Sequence, residues 1–224
     1  MSAIPRPAST VVLMNQQSMV YLTKRPETMK FMAGVYVFPG GAVDKGDEVQ
    51  DFQNEIVGNR NEYFELAYYV AAARELFEEV GILLCSAEDG SVFLMDLEKE
   101  REYRRQLING ELTFLQMLKN ERLQFNLESL HYFGHIITPN VSRIRFDTRF
   151  FIAQLPEGQL PKPDQKEISD AKWISPADAL SEYHNGKMPL PPPTIHTLKT
   201  IATHQSSEPP IMPKFNSNDY KLLF

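Results

Sequence analysis

Three glutamates lie close together in the segment RELFEEVGI, at positions 75, 78 and 79. Residues three and four apart share one face of an α-helix, so Glu75, Glu78 and Glu79 should crowd onto one side. Carboxylates this close repel one another and raise one another's pKa values unless a positive charge compensates. Arg74 can pair with Glu78 one turn away, but one guanidinium does not balance three acids. A hard divalent cation does, since it prefers oxygen ligands.

A merely solvated acidic helix face is the other interpretation of this segment. Two neighbouring features favour a metal site instead. The acids lie at the C-terminal end of the predicted helix, where the helix dipole disfavours negative charge. Upstream, the segment Phe38-Pro39-Gly40-Gly41 predicts a turn whose glycines let bare backbone approach a ligand or a metal. A bound divalent ion can neutralise a phosphate and lower the pKa of a bound water.

The elements that must position these groups follow from the hydrophobic pattern. The stretch from about 63 to 80 is rich in Ala, Leu and Glu and ends at Gly81, which predicts a helix with a glycine C-cap. Short β-rich runs predict strands at 10–14, 19–23, 35–38, 82–84, 130–137, 148–153 and 172–174. Further helices are expected at 176–183 and 194–204. Strands on both sides of a central helix, with more helices at the end, favour an α+β or layered αβα domain.

The segment from about 96 to 120 is predicted to form two short helices that break near Asn109-Gly110. Its basic side chains are expected to face solvent: Lys99, Arg101, Arg104 and Arg105. Between the two halves of the site, residues 44–61 are polar and irregular, which indicates a loop or an insertion.

Length and composition limit the classes of protein. A chain of 224 residues suits one domain, which we predict to span 1–204 with an insertion at about 48–66, followed by a polar tail at 205–224. The net charge of -6 argues against nonspecific binding to nucleic acid or to an anionic membrane. The single cysteine, Cys85, requires no oxidising compartment. Without a signal peptide or a spanning segment, a cytoplasmic protein is expected. The oligomeric state is left open, a homodimer being one alternative.

The carboxylate segment resembles the box of the Nudix hydrolase superfamily. That box reads Gly, five residues, Glu, seven residues, then Arg-Glu-apolar-any-Glu-Glu-any-Gly-apolar. Gly41 fits the first glycine, and 74–82 fits the second half without exception. After five residues stands Asp47 rather than Glu, and 26 residues (48–73) separate it from Arg74, an excess of 19. The insertion leaves open whether Asp47, Glu48 or Glu65 is the acid that orients the arginine.

A box split in this way resembles the branch that contains the larger coenzyme A diphosphatases of peroxisomes and their bacterial relatives. Three further segments carry this resemblance: LTKR at 22–25 with Gly34 and FPGG at 38–41, RFDTRFF at 145–151, and PPPT at 191–194. Two positions depart from the branch's usual pattern, with Pro26 in place of Ser or Ala and Lys30 in place of Arg.

The resemblance implies a Nudix fold, an αβα sandwich with a mixed β-sheet and extra helices. It implies hydrolysis of a diphosphate linkage with Mg2+ or Mn2+, most specifically in coenzyme A or an acyl-coenzyme A, giving a phosphopantetheine and adenosine 3',5'-bisphosphate. The metal ligands would be Glu75, Glu78, Glu79 and the Gly40 carbonyl, with Arg74 holding the carboxylates in place. In the late segment EISDAKW, Glu167 is the candidate base or ligand of a second metal. The candidate catalytic residues are thus Glu78, Glu79, Arg74 and Glu167.

The remaining phosphates need basic partners, because arginine forks match phosphate oxygens. The candidates are Arg25, Lys30, Arg143 and Arg145, each with ordinary surface charge as the alternative. The expected partner is a small nucleoside diphosphate conjugate. Two other functions stay open: a Nudix enzyme for ADP-ribose, a dinucleotide or capped RNA, and a noncatalytic Nudix module that binds a nucleotide.

Overall fold

The computed structural model describes residues 3–29, 32–49, 52, 54–59, 64–206 and 208–216. The strands in this part of the chain are β1 Arg6–Met14, β2 Val20–Lys24, β3 Tyr36–Val37, β4 Gly40–Ala42, β5 Ile56–Val57, β6 Cys85–Ala87, β7 Leu123–Asn126, β8 His131–Ile137, β9 Phe146–Gln154 and β10 Asp170–Ile174. The α-helices are α1 Ala67–Val80, α2 Leu97–Ile108, α3 Phe114–Glu121, α4 Pro176–His184 and α5 Pro192–Thr203.

The main sheet is mixed. Its strand order is β10-β2-β1-β9-β8, with β3 paired to β2 and β4 paired to β1. The central pair, β1 and β9, runs parallel in register from Arg6 opposite Phe146 to Met14 opposite Gln154. The other pairs in this sheet are antiparallel. The sheet therefore has the mixed character that the resemblance to the Nudix fold implied.

Alternate residues of the central strands point to opposite faces of the main sheet and build two hydrophobic cores. On β1, Val11 and Leu13 belong to the core that also contains the apolar face of α1, whereas Val12 belongs to the core with α4 and α5. On β9, Phe151 and Phe150 divide in the same way. This alternation is the period-2 pattern of a strand that is buried on both faces. The predicted αβα sandwich is confirmed.

A smaller sheet with strand order β5-β7-β6 lies beside α3. Its strands β5 and β7 were not predicted from the sequence. The run 82–84 was predicted to be a strand, but the strand begins only at Cys85. Ile82, Leu83 and Leu84 are instead consecutive buried residues of the core on the α1 side. A short apolar run can fill a core without strand pairing, which is why the pattern misplaced the strand.

The helix bounds follow local signals at their ends. Helix α1 ends at Gly81, whose φ of 70° is the left-handed conformation expected of a glycine cap. It starts at Ala67, later than predicted, and Tyr63 lies outside the described residues. The break between α2 and α3 falls at Asn109-Gly110, as predicted. Helix α5 begins at Pro192, two residues earlier than predicted, because proline fits the first turn of a helix.

The segment after α5 packs against the main sheet along part of its described length. The Met212 N–H donates to the Phe133 carbonyl at 2.7 Å, and the Met212 side chain is buried in the core with α5. The domain bounds 1–204 and 205–224 stay a prediction. Among the described residues, no helix is both long and apolar enough to cross a membrane.

Candidate active site

The carboxylates in the C-terminal half of α1 are organised around the buried guanidinium of Arg74. Its Nη1 donates to Glu75 Oε1 at 2.9 Å and to Glu78 Oε2 at 3.2 Å. Its Nη2 donates to the Ala42 carbonyl at 2.8 Å. Nε and Nη2 donate to the two oxygens of Asp47 at 2.8 and 3.0 Å. The five N–H donors of the guanidinium thus all have acceptors. The predicted pair of Arg74 with Glu78 is confirmed.

Asp47 is the acid that orients Arg74, and the choice that the split box left open is thereby closed. Asp47 ends a short 3-10 helix and is fully buried, while its Oδ2 also accepts from the Asp44 N–H at 2.8 Å. Glu48 and Glu65 are both exposed. The insertion follows Asp47 in the chain. Asp47 therefore stays in the site, and the arginine keeps a bidentate carboxylate partner.

Two glycines of β4 let the backbone approach the carboxylates. The Gly40 N–H donates to Glu79 Oε2 at 3.1 Å. A Cβ atom on Gly41 would lie 2.4 Å from Glu75 Oε1, and one on Gly40 would lie 2.3 Å from the Ser9 carbonyl oxygen. A side chain at Gly40 would collide with the backbone of β1, so glycine is required there for β4 to pair with β1. A side chain at Gly41 would displace the carboxylate of Glu75.

The carboxylates carry more negative charge than the neighbouring cations offset. Burial raises the pKa of Glu75 to about 7 against the opposing effect of Arg74, and the charges of Asp47 and Glu167 act in the same direction as burial. Burial likewise raises the pKa of Glu78 to about 8. The pKa of Glu79 is well above its usual range because of burial and the charges of Glu75 and Glu167.

Arg74 stays charged whichever of the three glutamates is protonated. Burial alone would lower its pKa, but the hydrogen bond to Asp47 and the charges of Glu75, Asp47 and Glu78 raise the pKa above its ordinary value. A permanently charged arginine is therefore a fixed part of the cluster, whereas the surplus carboxylate charge still calls for a further cation.

The chemistry of this donor set fits a hard divalent cation. Carboxylate and carbonyl oxygens with an excess of negative charge are the ligands that Mg2+ and Mn2+ prefer. Within the described ranges, no three Asp, Glu, His or Cys side chains converge in a ready-made ligand geometry. Glu75 and Glu78 each give one oxygen to Arg74. The fit therefore rests on the type and charge of the donors.

Glu167 joins the cluster from the loop between β9 and β10. It lines a cavity of about 340 Å³ together with Glu75 and Glu78. The loop is held to the end of α1, because the Asp164 N–H donates to the Glu79 carbonyl at 2.8 Å and the Glu167 N–H donates to the Asp164 carbonyl at 3.2 Å. The structure thus brings Glu167 close to the carboxylates, and its role as base or metal ligand stays a prediction.

A second cavity, of about 280 Å³, lies on the other side of the Gly-Gly pair, between the main sheet and the start of α5. Three segments that are distant in the sequence supply much of its lining: Arg25, Phe38, Gly40 and Gly41; Phe146, Thr148 and Phe150; and Pro191, Pro193 and Thr194. These are the segments that carried the resemblance to the coenzyme A branch. We call this cavity the motif cleft.

The predicted phosphate-binding residues have different surroundings. Arg25 lines the motif cleft, and its charge lowers the pKa of Glu79 against the effect of burial. Arg145 donates to the Thr138 carbonyl at 2.9 Å and to the Ala3 carbonyl at 2.7 Å, so it holds the loop between β8 and β9. Arg143 is exposed on that loop. Lys30 lies outside the described residues. Only Arg25 of this set is seen beside the carboxylates in the described part of the chain.

The expectation that Arg104 faces solvent is wrong. Lys99, Arg101 and Arg105 are exposed as predicted, whereas Arg104 is 8% exposed. Its guanidinium donates to the carbonyl oxygens of Glu78 and Glu79 at the end of α1. One signal in the sequence was available. Arg104 lies three residues before the apolar Leu107 and so shares its helix face, and Leu107 is buried.

Comparison with known proteins agrees with this fold. Residues 59–201 match the family model described as the NUDT19 Nudix domain. The chain therefore belongs to this family of Nudix hydrolases.

Relatives and a solved structure resemble the chain over most of its length. Acyl-coenzyme A diphosphatase NUDT19 from Xenopus laevis is 31% identical, over 81% of this chain and 59% of that protein. The protein of the same name from Homo sapiens is 24% identical, over 83% of this chain and 60% of that protein. The crystal structure of a Nudix hydrolase from Alicyclobacillus acidocaldarius has a TM-score of 0.80 and 28% identity, covering 90% of this chain and 93% of that chain. The chain thus spans about 60% of the length of these curated relatives.

Proposed function

We propose that the chain hydrolyses the diphosphate linkage of coenzyme A or an acyl-coenzyme A in the presence of Mg2+ or Mn2+. The products would be a phosphopantetheine, acylated or free, and adenosine 3',5'-bisphosphate. The observation that carries this proposal is the buried cluster of Glu75, Glu78 and Glu79 around Arg74, directly beside the motif cleft. The name of the Xenopus laevis relative supports the substrate class.

We assign the metal-binding oxygens to Glu75, Glu78 and Glu79, together with the Gly40 carbonyl. A bound divalent ion would neutralise phosphate charge and lower the pKa of a bound water. Arg74 holds Glu75 and Glu78 turned towards one point through its Nη1. Glu167 shares a cavity with both acids and would accept the proton of the attacking water or bind a second ion.

In the reaction, water adds to one phosphorus of the diphosphate. The bond from that phosphorus to the bridging oxygen breaks, and each product keeps one of the two phosphates of the linkage, while the adenosine product also keeps its 3'-phosphate. Arg25 lines the motif cleft and its charge acts on Glu79, so its guanidinium suits the charge on the phosphate that is not attacked. The motif cleft is at the small end of the volumes of ligand sites. It would therefore receive one end of the conjugate and leave the other outside.

A panel of substrates with Mg2+ or Mn2+ tests the proposal. We expect coenzyme A or an acyl-coenzyme A to be turned over faster than ADP-ribose, a dinucleotide or capped RNA. The substrate assignment fails if ADP-ribose is the faster substrate. If no diphosphate is cut with either metal, calorimetry with the same compounds decides whether the chain is a noncatalytic nucleotide-binding module.

The metal assignment is tested separately with the variant Glu78→Gln. This change keeps the size of the side chain and removes its charge, so hydrolysis should fall by about 100-fold or more. The exposed Glu98→Gln on α2 is the matched control, with activity like the wild type. Unchanged hydrolysis in Glu78→Gln would show that Glu78 is not a ligand.

A further inference from the structure

Four backbone carbonyls at the C-terminal end of any α-helix lack partners within that helix. In α1 these belong to Phe77, Glu78, Glu79 and Val80. Two of them, the carbonyls of Glu78 and Glu79, belong to residues whose side chains are proposed metal ligands. The Phe77 carbonyl accepts from the Gly81 N–H at 2.9 Å, and the Val80 carbonyl accepts from the Lys162 N–H at 2.7 Å. The partners of the Glu78 and Glu79 carbonyls decide how firmly the last turn of α1 is held.

Arg104 is the side-chain partner of both the Glu78 and the Glu79 carbonyl. Its Nε and Nη2 donate to the Glu78 carbonyl at 3.0 and 2.9 Å, and Nη2 also donates to the Glu79 carbonyl at 3.2 Å. The Glu79 carbonyl accepts in addition from the Asp164 N–H at 2.8 Å. All four terminal carbonyls of α1 are therefore satisfied, and Arg104 alone satisfies that of Glu78 among the contacts of the described residues.

Arg104 is itself held by a buried acid. Glu100 is 4% exposed and lies one turn earlier on α2, with its Oε1 3.4 Å from Arg104 Nη1. The other oxygen of Glu100 pairs with Lys162 Nζ. Lys162 begins the segment that continues through Asp164 to Glu167. One network thus connects α2, the end of α1 and the loop that carries Glu167.

We propose that Arg104 is a positioning residue for the diphosphatase reaction, which fixes the last turn of α1 and thereby the carboxylates of Glu78 and Glu79. This inference rests on the proposed function. Helix ends fray when their carbonyls lose partners. A frayed last turn would move both carboxylates, and it would also release the Asp164 contact that places Glu167. The positive charge of Arg104 further suits a helix C-terminus that bears acids.

Two variants test this role, each compared with the wild type. Arg104→Lys keeps the charge but loses the planar fork that reaches both carbonyls, and Arg104→Gln loses the charge. We expect Mn2+ binding, measured by electron paramagnetic resonance of the free ion, to weaken by about 10-fold in Arg104→Lys and more in Arg104→Gln. For coenzyme A we expect kcat to fall by a similar factor while KM stays within about twofold, since the motif cleft is untouched.

The matched control is Arg105→Lys on the same helix. Arg105 is exposed and pairs with Glu102 and Glu111 at the surface. The Arg105→Lys variant should bind Mn2+ and turn over coenzyme A like the wild type. Circular dichroism and thermal unfolding establish which variants are folded, and Arg104→Lys is the variant that decides if Arg104→Gln does not fold.

The inference fails if folded Arg104→Lys binds Mn2+ and hydrolyses coenzyme A like the wild type. It also fails if KM rises while Mn2+ affinity is unchanged, because this would place the effect at substrate binding. A wild type that neither binds Mn2+ nor cuts a diphosphate overturns the proposed function, and the role of Arg104 with it. If the wild type is active and the Arg104 variants bind Mn2+ and hydrolyse coenzyme A as it does, only the role of Arg104 is overturned.

Discussion

The contact between Asp47 and Arg74 allows a sharp test of how the site is built. The perturbation is Asp47→Asn, which changes a buried carboxylate that accepts two hydrogen bonds from Arg74 at 2.8 and 3.0 Å. The asparagine offers one acceptor oxygen, and its amide group places an N–H donor against an arginine donor. The side chain keeps its size, so packing is preserved, while the contacts with Arg74 and with the Asp44 N–H are weakened.

The magnitude follows from what Arg74 keeps. Removal of one partner of a buried ion pair costs about 3–5 kcal/mol. Arg74 retains Glu75, Glu78 and the Ala42 carbonyl, so the lower end applies, about 3 kcal/mol. For a domain of this size, that loss lowers Tm by about 6–12 °C. Hydrolysis should fall by about 10- to 100-fold, because Arg74 orients two of the three proposed metal ligands.

The assay is the initial rate of coenzyme A hydrolysis with Mg2+, together with thermal unfolding of the same samples. Glu48→Gln and Glu65→Gln are the matched controls, since both acids were candidates for the same role and both are exposed. Their rates should stay within about twofold of the wild type and their Tm values within about 2 °C, as for ordinary surface substitutions. The reasoning is refuted if either control loses as much activity as Asp47→Asn, or if Asp47→Asn behaves like the wild type.

Three further changes test other parts of the site and the core. Gly41→Ala places a Cβ atom 2.4 Å from Glu75 Oε1, so steady-state hydrolysis should fall by about 10- to 100-fold, and a normal rate would show that Glu75 is free to move aside. Arg25→Gln removes a charge from the motif cleft and should raise KM for coenzyme A by about 10-fold with a smaller effect on kcat, while a change in kcat alone would contradict a binding role. Phe125→Ala empties a fully buried position of β7 and should lower the urea unfolding free energy by about 3–5 kcal/mol; a loss below about 1 kcal/mol would mean that the smaller sheet adds little to the core.

The contacts that sequence spacing predicted are those made within one element. The i, i+3 and i+4 spacing of Glu75, Glu78 and Glu79 led to the shared carboxylate face and to the pair of Arg74 with Glu78. The order of strands on both sides of a central helix, with more helices at the end, led to the layered αβα domain. Such patterns are visible because helix and strand geometry fix which neighbours meet, regardless of the rest of the fold.

The contacts that spacing could not predict join elements far apart in the chain. The spacing from Gly41 pointed to position 47, but an Asp in place of Glu and the 26 residues before Arg74 left Glu48 and Glu65 open as well. The burial of Arg104 was missed for a related reason. A basic residue on a charged helix is usually solvated, and only the end of α1 packed against α2 provides the carbonyls that justify its burial.

A comparison of the loop-closure entropy of the insertion with the energy of the contact between Asp47 and Arg74 explains how the site tolerates a split box. Lengthening a flexible connection from seven to 26 residues costs about 1 kcal/mol of loop-closure entropy. That is less than the roughly 3 kcal/mol expected to be lost if the buried Arg74 were left without Asp47. The insertion is also anchored, since Val49, Phe52 and Ile56 pack against the core on the α1 side and β5 pairs with β7. The orienting acid of such a box is therefore defined by its reach to the arginine rather than by its distance along the chain.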